Sequence, residues 1–435
     1  MLNNMKKVLR NLFAGLLAMF ARGVLRKYQP QIVMVTGSVG KTSTKDAVHA
    51  ALSTSFYVRA SEKSYNSEFG VPLTILGVKN PWTSIPGWLH VFGEALALLI
   101  LPNSYPKLLV LEVGADNPGD LERILKIATP DLVIVTRLPD MPVHVEAYAT
   151  PDAVREEEFR PAYALPPGAP LVLSSDDHYA CALAAPLSTK TILFGQAPHA
   201  DVRLKKAELF MEDGRPAGME AEISILGERH MLRVRGAIGS QQLLAPAAAL
   251  AAALALDLNL KKMLKGLESY EPPPGRGRIL KGKDGAILID DSYNASPAAV
   301  EEALTSLALI KAQLPGTRTT AVLGDMLELG RYSQEAHERV GKHAAETADC
   351  LITIGPRARS MASAAISNGM HEESVLSFET SQEAAPQIAA RIGAGDAVLV
   401  KGSQSIRTEK ICEVLLADYA DQKYLVRQDR EWKRR

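Results

Sequence analysis

Cysteine is scarce in this 435-residue chain. Cys181, Cys350 and Cys412 are its three, far apart and without the spacing of a disulfide framework or a zinc site, so reduced thiols are expected. Net charge is lacking too. The 49 basic residues balance 49 acidic ones, which excludes a global field that would draw the protein to nucleic acid. Internal repeats and low-complexity tracts are absent as well. The apolar stretch 85–101 contains Glu94 and is bounded by Pro86 and Pro102, which leaves it too interrupted for a membrane span. What remains is an ordinary globular mixture, 47% hydrophobic and 23% charged, long enough for two or three domains.

From Gln31 onward, short β-branched runs alternate with helical patterns. IVMVT (32–36), LLVLEVG (108–114) and DLVIVT (131–136) read as strands, with KTSTKDAVHAALST and GDLERILKIA as helices between them. Between about 200 and 235 the pattern changes to alternating strands such as AEISIL and MLRVRG, an antiparallel addition. An alanine-rich helix pair, 241–256 and 260–268, precedes Pro272-Pro273-Pro274-Gly275, which stops helix and sheet alike. Beyond it AILID (286–290), TTAVLG (319–324), CLITIG (350–355) and AVLVKG (397–402) resume the alternation, with a hairpin turn expected at Gly282–Gly285. The fold class is therefore α/β. A central phosphate-loop domain (31–271), with a mostly parallel sheet and an antiparallel addition, leads into a Rossmann-like C-terminal α/β domain (272–435). No glycine fingerprint follows the first strand of the second unit, so it is not read as a dinucleotide site.

The sharpest local feature is Thr36-Gly37-Ser38-Val39-Gly40-Lys41-Thr42-Ser43, between a strand and a helix. Its glycines let backbone N–H groups face phosphate oxygens at a helix N-terminus. Lys41 can reach the β- and γ-phosphates of ATP, and the Thr42 hydroxyl can ligate Mg²⁺. Val35 occupies the place of the first glycine in the longer G-x-x-x-x-G-K pattern. Glu112 ends an apolar strand in LEVGADNPGD. Taken alone, it reads equally as a strand-end or capping acid. His144 and Glu146 follow the next strand, and Glu156, Glu157 and Glu158 open a helix, where a solvated face is the plain reading. A carboxylate, an imidazole and a further carboxylate at strand ends are nonetheless what a second divalent cation needs.

Residues 1–28 precede this loop. Leu2, Met5, Leu9, Leu12, Phe13, Leu16, Phe20 and Val24 recur at helical spacing, with Lys6, Lys7 and Arg10 mostly off that stripe. Arg22, Arg26 and Lys27 crowd its end, and a phosphate-binding loop follows at once. Together these argue against a secretory leader and for the cytoplasm. The resulting basic amphipathic helix (1–30) either lies on an anionic membrane surface or packs onto the domain behind it.

TGSVGKTS, SYNSEFGVP (64–72), EVGADNPGD (112–120), HVE (144–146), DDSYNASP (290–297), LGDMLELG (323–330) and KGS (401–403) occur in the order of the Mur ligases, which this chain resembles from residue 31 to about 415. The likeness is to the branch that adds D-alanyl-D-alanine to a UDP-muramoyl tripeptide in peptidoglycan synthesis. It implies an ATP-dependent ligase that activates a carboxylate as an acyl phosphate and joins it to an amine, acting as a monomer. Lys41 and Thr42 would hold the phosphates and a first Mg²⁺, and Glu112 and His144 a second Mg²⁺. Asn66 would line the substrate side. Arg276, Asp291 and Asn294 would meet ATP from the C-terminal domain, although Asp291 and Asn294 also suit the turn into the helix after Pro297.

Departures from the family pattern matter equally. Where the family usually has a carbamylated lysine, this chain has Glu158, a carboxylate that would supply the same charge to the second metal without modification. Asn117, Gln241, Gln242 and Ala245 also depart from the residues common in that branch, which leaves the usual adenine contacts open. Only the basic helix precedes the loop, where the family has a uridine-nucleotide-binding domain. Another amide ligase of the superfamily, with a lipid-linked or folylpolyglutamate-type substrate, therefore stands as an alternative. So does a non-catalytic nucleotide-binding subunit.

Overall fold

The computed structural model describes residues 2–433. Strands β1 (Gln31–Thr36), β2 (Val58–Ala60), β3 (Leu108–Glu112), β4 (Leu132–Val135), β5 (Pro170–Ser174), β6 (Lys190–Gly195), β7 (Val202–Glu212), β8 (Arg215–Ile225) and β9 (Glu228–Arg235) form one sheet. Its order is β2-β3-β1-β4-β5-β6-β7-β8-β9. Pairing is parallel as far as β7, and β7 to β9 are an antiparallel meander, the expected addition. The β1, β3 and β4 runs are apolar on both faces because helices cover both sides, the signature of a buried parallel sheet.

A second sheet holds β10 (Arg278–Lys281), β11 (Ile287–Asp291), β12 (Arg318–Gly324), β13 (Cys350–Ile354), β14 (Val375–Phe378) and β15 (Asp396–Lys401), in the order β10-β11-β15-β12-β13-β14. Only β10 is antiparallel, joined to β11 through the tight turn read from Gly282–Gly285. The chain passes between the sheets at Pro272–Gly275, and the Ile238 N–H bonds the Gly277 carbonyl across the junction at 2.9 Å.

Two registers position the chemistry. Val35 pairs with Glu112 and Thr36 with Val135, so the C-terminal ends of β1, β3 and β4 lie side by side where the strand order reverses. A crevice opens at such a reversal. In the second sheet Asp291 pairs with Lys401 at the ends of β11 and β15.

The N-terminal helix α1 (Leu2–Tyr28) packs against the helices here labelled α3 (Gly70–Leu76) and α4 (Ile85–Ile100), with α2 (Lys41–Leu52) on the other side of the sheet. Its inward face differs from the expected stripe. Ala14, Leu17, Ala18, Ala21 and Val24 are buried, whereas Leu12, Phe13 and Leu16 are exposed. The alanines allow close approach to the domain, and α4 instead takes up Phe13 and Phe20 through ring contacts. The side chains of Leu2, Met5 and Leu9 lie outside the described residues. Among the described residues no helix is long and apolar enough to cross a membrane.

Candidate active site

The loop after β1 curls as its glycines permit. Gly37 (φ 116°) and Gly40 (φ 88°) are both left-handed, a region that side chains disfavour. A Cβ at Gly37 would also stand 2.4 Å from the Thr136 Oγ1. The Ser38 N–H donates to the Arg137 carbonyl at 2.8 Å, tying the loop to the chain after β4, while the buried Ser38 hydroxyl has no partner. Gly40 then caps α2, so the N-terminal amides of that helix and the Lys41 side chain share one concave surface.

Glu158 faces this loop from α6 (Pro151–Tyr163), which follows α5 (Asp120–Leu125). Thr150 caps α6, accepting the Ala153 N–H, and Pro151 presets its first turn. The glutamate run is mostly not the solvated face that the plain reading suggested. Glu156 is exposed, but Glu157 is buried and accepts the Gly119 and Leu121 N–H groups at 3.0 Å each, capping α5. Glu158 is buried with Oε2 3.3 Å from the Gly37 N–H and 3.2 Å from the Thr36 hydroxyl, and Oε1 3.5 Å from the Lys41 Nζ. Lys41 also donates to the Gly37 carbonyl. Burial pushes the Glu158 carboxyl above the usual carboxylate range, and the charges of Lys41 and His144 oppose that rise.

Thr42 and Glu112 meet directly. The Thr42 hydroxyl lies 3.2 Å from Glu112 Oε1 and 2.7 Å from the Ser64 hydroxyl. Burial raises the Glu112 carboxyl, with Lys45, Lys41 and Arg276 pulling it back, and its buried Oε2 has no hydrogen-bond partner. A hydroxyl beside a carboxylate with a spare oxygen is a hard-oxygen donor set, so Thr42 and Glu112 fit a Mg²⁺ ion. Asn66 lies next to them: its carbonyl accepts the Gly114 N–H at 3.1 Å, and a Cβ at Gly114 would meet its amide nitrogen at 3.1 Å and the Lys41 Cε at 3.2 Å.

His144 behaves differently. It sits in the left-handed region (φ 63°), with Nδ1 2.9 Å from Glu328 Oε2 and Nε2 3.5 Å from Asp116 Oδ1. Burial alone would lower its pKa, but the hydrogen bond and charge of Glu328, with Asp116, raise it. Glu328 belongs to LGDMLELG, and its bridge from the second sheet to His144 was not anticipated. Among the described residues no three His, Cys, Asp or Glu side chains surround a common point. Thr42 and Glu112 are thus one pair, Glu158 is held on Lys41, and His144 on Glu328.

From the other side of the cleft, Arg276 lies over the Tyr293 ring at 4.1 Å and reaches the Thr42 hydroxyl at 3.5 Å. Asp291 pairs with Lys401 at 2.8 Å, and burial raises its carboxyl against the pull of Lys401. Asn294 spends its side-chain oxygen on the Ala295 N–H at 2.9 Å, the turn weighed for it from sequence, while its carbonyl receives Lys401 at 3.0 Å. Val39, Gly40, Ser43, Arg276, Asp291 and Lys401 line one cleft. Gln241, Gln242 and Ala245 line it too, with Phe194, which no motif flagged.

A glycine cradle with a lysine paired to a buried glutamate, faced across a cleft by arginine, lysine and aspartate, defines a phosphate-handling enzyme of two α/β units. Residues 35–86 and 89–239 match the Mur ligase middle domain, and residues 275–404 match the Mur ligase, glutamate ligase domain. The chain belongs to the Mur ligase family and is an ATP-dependent ligase that forms amide bonds. It is 24% identical to the UDP-N-acetylmuramoyl-tripeptide–D-alanyl-D-alanine ligase of Bacillus subtilis over 402 residues, covering 92% of this chain and 79% of that one. The enzyme of the same name from Synechocystis is 28% identical over 402 residues, covering 92% and 77%. The MurF ligase of Thermotoga maritima in complex with ADP superposes with a TM-score of 0.74 at 25% identity, covering 94% of this chain and 84% of that one. Folylpolyglutamate synthase of Mycobacterium tuberculosis shares the fold at TM-score 0.64 and 13% identity, covering 91% and 95%.

Proposed function

We propose that this ligase joins the terminal carboxylate of a peptidoglycan-precursor peptide to D-alanyl-D-alanine in the cytoplasm, through an acyl phosphate. The observation that supports the reading most is the Lys41–Glu158 pair, set against the glycine cradle and opposite Arg276. The chain works as two lobes, 31–271 and 272–435, with ATP between them. Amides of residues 37–43 and the Lys41 ammonium hold the β- and γ-phosphates. Thr42 and Glu112 would hold Mg²⁺, which would neutralise charge on the phosphate oxygens. Asn66 orients the substrate carboxylate on the other side of Lys41.

A carboxylate oxygen attacks the γ-phosphorus, and the bond from phosphorus to the bridging oxygen of ADP breaks. The amine nitrogen then attacks the acyl carbon, inorganic phosphate leaves, and the ammonium proton passes to solvent. Arg276 and the Asp291–Lys401 pair hold the nucleotide, and Arg276, reaching Thr42, keeps the lobes together, excluding water that would hydrolyse the acyl phosphate. Glu158 keeps Lys41 aimed at the loop and balances its charge. The family's carbamylated lysine brings a carboxylate to the same place on a longer stem.

The test is incubation with ATP, Mg²⁺, UDP-muramoyl tripeptide and D-alanyl-D-alanine, followed by product mass. Amide product with one phosphate released per bond is expected. Product formed only with a folate and glutamate, or only with a lipid-linked peptide, would move the substrate assignment and leave the chemistry standing. ADP release that no amine accelerates would overturn ligation.

A further inference from the structure

We propose that the outer face of the α1–α4 pair is a docking surface for an anionic lipid bilayer. Phe13 meets Trp88 at 5.8 Å and Phe92 at 6.0 Å between ring centroids, and Phe20 meets Phe92 at 5.9 Å. Farther along, Lys27 donates to the carbonyls of Leu98 (2.8 Å), Leu99 (3.1 Å) and Leu101 (2.7 Å) at the end of α4. The two helices therefore run side by side in the same direction. Beside their seam each leaves an apolar strip uncovered. On α1, Leu12 is 68% exposed, Met19 52% and Leu16 37%; on α4, Ile85 is 75% exposed, Leu89 69%, Ile100 68% and Leu96 49%. At about 100° per residue each strip spans roughly 60° of its helix, next to the ring positions that touch the other helix. The two strips thus form one surface, with the exposed Trp82 at the start of α4.

Charge selects the occupant. Arg26 and Lys27 fall roughly 50° from the centre of the α1 strip and Arg22 roughly 90°, and α1 has no acidic residue, in a chain whose net charge is zero. Glu94, the only acid of α4, falls roughly 160° around that helix from the centre of the strip. A second copy docked on this face would set basic helix against basic helix, at a repulsive cost. Anionic headgroups supply the missing counter-charge, worth about 1 kcal/mol per basic residue near the surface, while acyl chains take the apolar strip. With only 16 residues, α4 is too short to span a bilayer, so the pair lies along the surface. The other flank of α1, at Ala14, Gly15, Ala18 and Arg22, borders a cavity shared with Asn66 and Gly114, which places the substrate side of the phosphate loop next to the docked face.

The experiment is co-sedimentation of the full chain with phosphatidylcholine vesicles, with and without roughly 30% phosphatidylglycerol. Binding about tenfold tighter to the anionic vesicles and weakened by salt is expected, as is a loss of about tenfold or more in the Leu89→Gln/Leu96→Gln/Ile100→Gln variant with its thermal unfolding unchanged. A second variant on the other helix, Leu12→Gln/Met19→Gln, should lose binding independently. Absence of wild-type binding to anionic vesicles, or variants that bind as well as wild type, would overturn the proposal. So would a wild-type dimer that the triple variant converts to monomer while neither binds vesicles.

Discussion

Replacing Glu158 by glutamine removes one charge while keeping an oxygen that can accept the Gly37 N–H. The attraction lost is large in gross terms. At the 3.5 Å separation from Lys41 it amounts to about 5 kcal/mol for an effective dielectric constant of about 20. Against this stands the desolvation of a fully buried carboxylate, and the direction of its pKa shows which effect wins. The carboxyl is raised despite Lys41, so the fold disfavours the ionised form. A raised acid contributes stability that is full below its unfolded pKa and is lost as pH rises through the folded pKa, so ionising Glu158 is a burden on the fold. Lys41 is not stranded by the change, because it keeps the Gly37 carbonyl and 14% side-chain exposure. The expected change in unfolding free energy is therefore within about 1 kcal/mol, well short of the ~3–5 kcal/mol usual when a buried pair is broken. Activity should behave otherwise. A charge kept at the expense of stability marks a functional position, and kcat/KM should fall about 100-fold or more, equivalent to about 2.7 kcal/mol of transition-state stabilisation. Denaturant titration and initial rates at several Mg²⁺ concentrations separate the two effects. Activity within about threefold of wild type, with unchanged Mg²⁺ dependence, would refute the reasoning.

Gly37→Ala places a Cβ 2.4 Å from Thr136 Oγ1 at a φ of 116°, and should cost about 2 kcal/mol or more in chemical denaturation and abolish ATP binding by calorimetry. Arg276→Ala removes the 4.1 Å contact with the Tyr293 ring; the KM for ATP should rise about tenfold or more with roughly 1 kcal/mol of lost stability, and an unchanged KM would exclude a nucleotide role. Burial would raise the Asp349 carboxyl, but hydrogen bonds from Lys311 and from the Thr319 N–H and hydroxyl hold it below the usual range. A lowered acid contributes stability above its unfolded pKa and loses it as pH falls through the folded value. Asp349→Asn should therefore cost roughly 1 kcal/mol at neutral pH after allowance for its partial exposure, with the difference from wild type shrinking as pH falls below about 4 and vanishing only below the lowered folded value in melting curves.

The phosphate loop was legible because its chemistry is local: a β-branched strand, two glycines and a lysine at the start of a helix define the conformation wherever the chain folds. The parallel core strands were legible for the same reason, being short continuous apolar runs. The three-residue β2 and four-residue β14 were not singled out, since runs this short carry little periodicity of their own, and β5 and β6 were not singled out either. The triplet 156–158 shows the limit more sharply. Three identical side chains in a row end up exposed, capping α5, and paired with Lys41, because a 100° step per residue points each at a different neighbour.

By itself, then, the amino-acid order determined that ATP phosphates meet a glycine cradle in an α/β frame, and through its ordered motifs that the chain is a ligase. Tertiary structure alone decided which distant residues complete that cradle. Glu328 comes to His144 and Arg276 to Thr42 across separations of 184 and 234 positions, set by how the two units pack, and Lys401 comes to Asp291 across 110 positions through the pairing of β15 with β11, none of it by a local pattern. It also decided which side of α1 is buried. The helix presents apolar residues around much of its circumference, and only the packing of its neighbours assigns Ala14, Leu17, Ala18 and Ala21 to the core and leaves Leu12 and Leu16 outside.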